Sequence, residues 1–153
     1  MKCAYILVIV FFVISLSAFS QKRVPENVKK EFAAKYTSAQ SVKWDSEETD
    51  EWEAEFNLNG KKMSASFDNS GRWIETETVI SEKELPEVVV NTLKKDFQGY
   101  KKGPIEIYES PEMKGYEMSL KKGEKSWEVI FSDKGVLLKK TGIKEEIEKN
   151  EKN

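Results

Sequence analysis

Histidine is absent from the 153 residues, and the single cysteine is Cys3, close to the N-terminus. If a leader that contains Cys3 is removed, the remaining chain has no disulfide, no thiolate nucleophile and no cysteine metal ligand. The missing histidines also remove the side chain that most often acts as a general acid or base near neutral pH. The usual catalytic and zinc-binding side chains are therefore excluded from the mature chain.

A strong charge of either sign is also missing. The chain has 25 basic and 27 acidic residues, and its formal net charge is −2. Nucleic-acid-binding domains usually carry a net basic patch, so we expect no nucleic-acid partner.

Residues 1–20 have the pattern of a secretory signal peptide. Lys2 precedes an apolar run from Ala4 to Leu16, and the small residues Ser17, Ala18 and Ser20 follow that run. The apolar run is shorter than the roughly 20 residues that a spanning helix needs. We therefore expect cleavage after Ser20, a periplasmic or secreted protein, and no stable membrane span once the leader is removed. A retained N-terminal anchor is the alternative.

The chain contains an internal repeat. Residues 52–78 align without a gap on residues 116–142, so that Phe67 falls on Phe131 and Gly71 on Gly135. A period of about sixty residues is longer than a solenoid unit, and it favours a duplicated α+β module. The expected divisions are a first repeat over residues 21–80, a second over residues 81–143 and a charged, disordered tail over residues 144–153.

Within each repeat the pattern predicts one helix and four antiparallel strands. Apolar residues at helical spacing follow Pro25 and Pro86, and a capping box is formed by Ser81 and Glu84. Period-two alternation then marks half-buried strands, and Asn59-Gly60 marks a hairpin turn. The expected fold class is thus α+β, with a short first strand at residues 41–45 and both helices packed on one sheet face.

The order of these motifs resembles a known family. Val24-Pro25 precedes a helix, Val42 and Trp44 mark a strand, Trp52 to Phe56 form a Trp-x-Ala-x-Phe segment, and Leu85-Pro86 restarts the cycle. This order is similar to the PepSY-like, beta-lactamase-inhibitor-like family of small exported bacterial proteins, over residues 24–142. The resemblance implies two tandem units of one helix and four strands, and it implies no established activity.

Four residues are candidates for a partner-binding surface on the open face of the sheet: Trp73, Glu75, Ile130 and Leu137. If Ile74 and Phe67 face the core, alternation places Trp73 and Leu137 on the opposite, open face, together with Ile130. Aromatic anchors within a polar rim are typical of interface hot spots. The alternative is that Trp73 fills the junction between the two repeats.

Two other kinds of site are weaker. The acidic segment with Asp45, Glu47 and Asp50 carries oxygen ligands that suit calcium, but it lacks the spacing of a calcium loop. The carboxylate pairs on the strands are explained by solvation of an exposed sheet face. We therefore expect no cofactor and no enzymatic activity.

The leading hypothesis is a non-catalytic exported binding module that engages a periplasmic or extracellular protein or peptide, as an inhibitor or regulator, through its open sheet face. One alternative is an envelope sensor that binds calcium or a small ligand. The other is a structural envelope protein with no specific ligand.

Overall fold

The computed structural model describes residues 23–48 and 50–143, with the side chains of residues 47, 48 and 143 left out. The predicted leader over residues 1–20 and the predicted tail over residues 144–153 lie outside the described residues.

One helix followed by four strands occurs twice along the chain. The N-terminal half, residues 23–80, has α1 (Glu26–Lys35), β1 (Gln40–Glu48), β2 (Glu51–Leu58), β3 (Lys61–Asp68) and β4 (Trp73–Ile80). The C-terminal half, residues 81–143, has a 3-10 turn (Glu82–Glu84), α2 (Glu87–Asp96), β5 (Lys101–Glu109), β6 (Lys114–Lys122), β7 (Lys125–Phe131) and β8 (Leu137–Ile143). The first strand extends beyond the predicted residues 41–45, because the acidic segment continues the pairing of β1 with β2 up to Glu48.

The strands form one antiparallel sheet in the order β1 to β8. The two halves join where Thr76–Ile80 of β4 pair with Ile105–Glu109 of β5. An α+β fold with an antiparallel sheet was predicted and is confirmed, and the two sets of four strands are continuous.

Each helix begins directly after a proline and packs on the strands that follow it. Proline suits this position because the first helical N–H groups have no partner within the helix. Val28 and Phe32 of α1 are buried in a cluster with β2 and β3, while Val89 and Leu93 of α2 are buried in a second cluster. The buried members of the α1 cluster are Val28, Phe32, Tyr36, Trp52, Ala54, Phe56, Ala65 and Phe67. Those of the α2 cluster are Ile80, Leu85, Val89, Leu93, Ile105, Met118, Leu120, Val129 and Phe131.

Both helices lie on the same face of the sheet. Ala65 of the first cluster pairs with Thr76, which shares its side of β4 with Ile80, and Ile80 pairs with Ile105 of the second cluster. Residues that face each other on neighbouring strands project to the same side. The opposite side is called the open face below.

A matching glycine precedes the last strand of each half, and a matching bulge lies at the start of that strand. The register shifts between Ser66 and Phe67 in the β3–β4 pair, and between Ile130 and Phe131 in the β7–β8 pair. Gly71 and Gly135 have φ of 84° and 73°, and each lies against the backbone of its helix. These features set the side-chain direction at the start of β4 and β8.

Candidate functional site

Glutamates of both halves share the open face of the described sheet. Successive side chains of a strand point to opposite faces except at the bulges, and cross-strand pairing brings those on one face into rows. The glutamates that share the face are Glu53, Glu55, Glu75, Glu77, Glu106, Glu117 and Glu128.

One row crosses the seam between the two halves. Glu55 pairs with Ser64, Ser64 with Glu77, and Glu77 with Tyr108 of β5. A second row begins at Val79 and continues through Glu106 and Glu117. The rows therefore place carboxylates of both halves side by side at the centre of the sheet.

Glu77 lies at the centre of this arrangement. It accepts a hydrogen bond of 3.0 Å from the Ser64 hydroxyl. Burial, followed by the nearby charges of Glu106, Glu75 and Glu53, raises the pKa of Glu77 to about 7. Glu77 therefore changes charge near neutral pH, where an ordinary glutamate is fully ionised.

Glu117 is the most buried of these carboxylates, with 6% of its surface exposed. Burial raises the pKa of Glu117 to about 9, and the charge of Glu128 and a hydrogen bond to Glu128 act in the same direction. A hydrogen bond between two carboxyl groups requires a proton on one of them. Lys139 Nζ lies 4.0 Å from a carboxylate oxygen of Glu128 and is the cation of this group.

Two further groups on this face have raised pKa values. Burial and then the charge of Glu128 raise the pKa of Glu106. Burial also raises the pKa of Tyr108 to about 12, and its contact with Glu75 adds to the shift. The centre of the open face thus resists ionisation, because its groups are partly desolvated and share one sign of charge.

A groove of about 440 Å³ crosses the N-terminal side of the open face. Four carboxylates line it, Val79 and Pro104 form an apolar border, and Lys43 and Lys62 also line it. Val79 is 39% exposed. Such a groove offers anionic hydrogen-bond acceptors beside a small apolar surface.

The predicted placement of Trp73 and Leu137 on the open face is wrong. Trp73 pairs with Phe67 and packs with the α1 cluster, and its ring lies 3.9 Å from Lys35 Nζ. Leu137 pairs with Phe131 on the corresponding helix side of the C-terminal half. A bulge at the start of each strand, at Ile74 and Leu138, adds one residue, and simple alternation counted across that residue gives the wrong face.

The register places Glu75 and Ile130 on the open face, but Ile130 is fully buried there. Its Cγ2 lies 2.6 Å from the position that a Cβ on Gly115 would occupy. Ile130 therefore fills the space above Gly115 and supports the sheet rather than offering an exposed anchor. Trp73 lines a separate hollow with Tyr108 and Pro111 of the C-terminal half.

The weak calcium candidate does not form a recognisable metal centre in the part of the chain that the structure describes. Asp45 accepts a hydrogen bond from the Ser46 N–H at 2.7 Å, and Asp50 accepts one from the Asn69 side chain at 2.8 Å. The side chain of Glu47 lies outside the described part. Among the described residues, no group of three or more potential ligands is arranged to hold a metal ion.

The sequence prediction includes Glu75 on the open face but not the convergence of the other carboxylates. It explains the carboxylate pairs on the strands by solvation of an exposed sheet face. Alternation from Glu75 onward in β4, and along β5, predicts the correct face for these side chains. Alternation alone does not show that β4 pairs with β5, and this pairing brings Glu77 and Glu106 together across the seam.

The profile of the family described as "Putative beta-lactamase-inhibitor-like, PepSY-like" matches residues 14–59 and 45–139. The chain belongs to the PepSY-like family. The family's description names an inhibitor-like protein and no reaction, in keeping with a binding module.

Solved structures of Bacteroides proteins have the same fold as this PepSY-like chain. A BLIP-like protein from Bacteroides fragilis is 20% identical, with a TM-score of 0.69 over 81% of this chain and 89% of that one. A DUF2874 family protein from Bacteroides ovatus is 22% identical, with a TM-score of 0.68 over 79% and 89% of the two chains. A structure described as putative periplasmic proteins from Bacteroides eggerthii is 20% identical, with a TM-score of 0.68 over 80% and 91%.

No curated protein matches the chain. In the described residues, none of the helices is long and apolar enough to cross a membrane.

Proposed function

We propose that this PepSY-like protein is a non-catalytic binding module whose open face engages a basic segment of a partner protein. The single observation that carries the proposal is the group of partly desolvated glutamates that meets across the seam of the sheet. The inhibitor-like description of the family supports a protein or peptide as the partner.

Charge complementarity favours a basic partner. Glu77 and Glu106 are partly buried next to each other's charge, and burial raises the pKa of both. A lysine or arginine side chain placed between them would relieve the repulsion and form charge-assisted hydrogen bonds. The exposed Val79 and Pro104 would contact the apolar part of the same segment.

A catalytic role is not part of the proposal. Glu117 and Glu128 are two carboxyl groups joined by a hydrogen bond, and burial raises the pKa of Glu117, which is an arrangement that acid–base catalysis could use. Only 6% of the surface of Glu117 is exposed, and its carboxyl group is hydrogen-bonded to Glu128. A substrate could therefore reach Glu117 only if the neighbouring side chains moved away.

We infer that residues 21–80 and 81–143 are tandem copies of one unit, since both have the same element order, bulge and glycine. We also infer that the protein acts as a regulator or inhibitor in the periplasm or outside the cell after cleavage following Ser20. The description of one Bacteroides structure as periplasmic supports that location.

The test uses two short peptides as probes, one alternating lysine and valine and one alternating glutamate and valine. We expect the lysine peptide to bind the protein and the glutamate peptide not to bind it, as measured by calorimetry. The double variant Glu77→Gln, Glu106→Gln should weaken binding about tenfold, because two charge-assisted contacts are lost. The matched variant Glu112→Gln, Glu124→Gln, at two exposed turn positions, should leave the affinity unchanged.

The pH dependence provides a second measurement. A cationic side chain binds the ionised form of Glu77, whose pKa is about 7. Affinity for the lysine peptide should therefore rise between pH 6 and pH 8, and the rise should disappear in Glu77→Gln. Equal binding of both peptides, or an unchanged affinity in the double variant, would contradict the proposal.

A further inference from the structure

The outer edge of β8 ends the described sheet. β8 pairs with β7 on one side, and no described strand pairs with it on the other. The backbone N–H and C=O groups along such an edge are a template for another strand.

The chain itself shows how this type of edge is completed. β4 corresponds to β8: both follow a glycine of positive φ beneath a helix, and both pair with a strand whose register shifts at its final phenylalanine. The outer edge of β4 is filled by β5, which pairs with residues Thr76 to Ile80. The corresponding residues of β8, counted through the repeat, begin at Lys140.

The apolar residues next to this edge are more exposed than their counterparts in the N-terminal half. Val136, Leu137 and Leu138 at the start of β8 are 57%, 41% and 44% exposed. Their counterparts Trp73 and Ile74 lie in a hollow lined by Ser110 and Pro111, which follow β5. The strand that fills the β4 edge thus also brings the residues that cover the apolar start of β4.

The opposite edge of the sheet is less suited to pairing. β1 has two register shifts against β2, and Ser41 has a φ of 55°. Bulges and left-handed residues are devices that prevent edge strands from pairing. The register of β8 with β7 is regular from Lys139 to Ile143.

Two lysines identify the charge that β8 would accept. Lys139 and Lys140 are consecutive on β8, and both are exposed. They project to opposite faces, because Lys139 pairs with Ile130 on the open face and Lys140 with Val129 on the helix face. A second copy paired β8 to β8 would add a lysine to each face, and like charges at close range oppose that pairing. The shifted register of β1 disfavours pairing between β8 and the β1 of another copy.

We infer that the β8 edge binds an extended, acidic segment of a partner protein by strand addition. In this mode main-chain hydrogen bonds supply affinity, and alternating side chains supply specificity. Acidic side chains of the segment would face Lys139 and Lys140, and its apolar side chains would cover Leu137 and Leu138. This inference concerns an edge of the sheet and does not depend on the function proposed for the open face.

The probe is the peptide PIEIYESPEM, which repeats residues 104–113 of the chain and includes most of the strand that fills the β4 edge. It carries three glutamates. We expect it to bind the full chain and to protect from hydrogen exchange those amides of Lys139–Gly142 that point away from β7. Affinity should fall with added salt, because exposed charges are screened.

Three variants decide the interpretation. Lys139→Glu, Lys140→Glu should weaken peptide binding about tenfold or more, because attraction is replaced by repulsion. Lys30→Glu, Lys83→Glu carries the same charge change at exposed positions away from β8 and should bind normally. A peptide with N-methylated amides at alternate positions should not bind, since it cannot form the ladder.

Failure of the unmodified peptide to bind would overturn the inference, as would equal binding by the two double variants. Concentration-dependent self-association in sedimentation, lost in Lys139→Glu, Lys140→Glu, would also overturn it, because the occupant of the edge would then be a second copy.

Discussion

The N-terminal and C-terminal halves have the same backbone arrangement, but the side chains at the C-terminal end of the helix differ between them. In the first half the Tyr36 hydroxyl is hydrogen-bonded to Thr76, whose Oγ1 also accepts from Trp73 Nε1 at 2.8 Å. In the second half the corresponding residues are Phe97, Lys140 and Leu137. Lys140 Nζ there lies 4.7 Å from the ring centroid of Trp127. A polar network at this position is therefore not a requirement of the fold.

The two halves share their packing and backbone geometry. Each has an apolar helix stripe, a glycine beneath the helix and a bulge at the start of its last strand. They differ in charge, since residues 23–80 hold 8 basic and 12 acidic side chains, whereas residues 81–143 hold 12 and 11. The two halves share their geometry but differ in charge. The fold therefore constrains the inner face and leaves the outer surfaces free to differ.

The largest effect is expected at the shared glycines. A Cβ on Gly71 would lie 3.2 Å from the Asn27 carbonyl oxygen, and one on Gly135 would lie 2.9 Å from that of Val88. Gly71→Ala and Gly135→Ala should each lower the free energy of unfolding by about 3 kcal/mol, from positive φ plus contact with the helix backbone. Urea unfolding measures the change.

Gly60→Ala is the control for that pair, because Gly60 has a φ of 77° and open space around its Cα. Gly60→Ala should lower the free energy of unfolding by about 1 kcal/mol. A loss of unfolding free energy in Gly135→Ala as small as in this control, with a larger loss in Gly71→Ala, would show that the two helices do not pack on their glycines in the same way.

A medium effect is expected at Glu117, and its sign depends on pH. The pKa of Glu117 is raised to about 9 in the folded state, so the folded protein binds more protons than the unfolded chain between pH 4.5 and pH 9. The contribution of Glu117 to stability is thus largest below pH 4.5 and falls as the pH rises through this range. Glu117→Gln removes the titration and should stabilise the protein by about 2 kcal/mol at pH 8.

The same variant should have little effect at pH 4, where the carboxyl group is protonated in both states. Thermal unfolding at the two pH values tests this expectation, with the exposed Glu124→Gln as the control. A gain of equal size at both pH values would show that packing, rather than ionisation, is responsible.

The smallest effect is expected at Tyr36. Tyr36→Phe gives the first half the residue that the second half has, and it removes the hydrogen bond to Thr76. The loss should be about 1 kcal/mol, the usual net value of a buried hydrogen bond. Tyr100→Phe, at a half-buried ring of the other half, should change the free energy of unfolding less; an equal loss in both would argue against the Tyr36–Thr76 bond as the cause.

Local patterns predicted most of the fold. The helix stripes and strand alternation identified every helix and strand, and Asn59 and Gly60 both have the positive φ that the hairpin signal requires. The errors arose where one residue was added to a strand. The bulges at Ile74 and Leu138, just after Trp73 and Leu137, are a property of paired strands. The alternation within a single strand carries no trace of them.

The candidate site was predictable in composition but not in energetics. Alternation placed Glu75 and Glu117 on the open face, yet the burial of Glu117 depends on the strands beside it and on Ile130 above Gly115. Those contacts join residues from three strands. The raised pKa values therefore emerge only when the register of the whole sheet is fixed.

The strand order of the sheet has a kinetic consequence. Because β1 to β8 pair in sequence order, every strand pairing in the described chain is between consecutive strands. Contact order is correspondingly low, and chains with mainly local contacts fold faster than those that must close long loops. The α1 cluster is assembled from residues between Val24 and Trp73, so its contacts can form before the C-terminal half is in place.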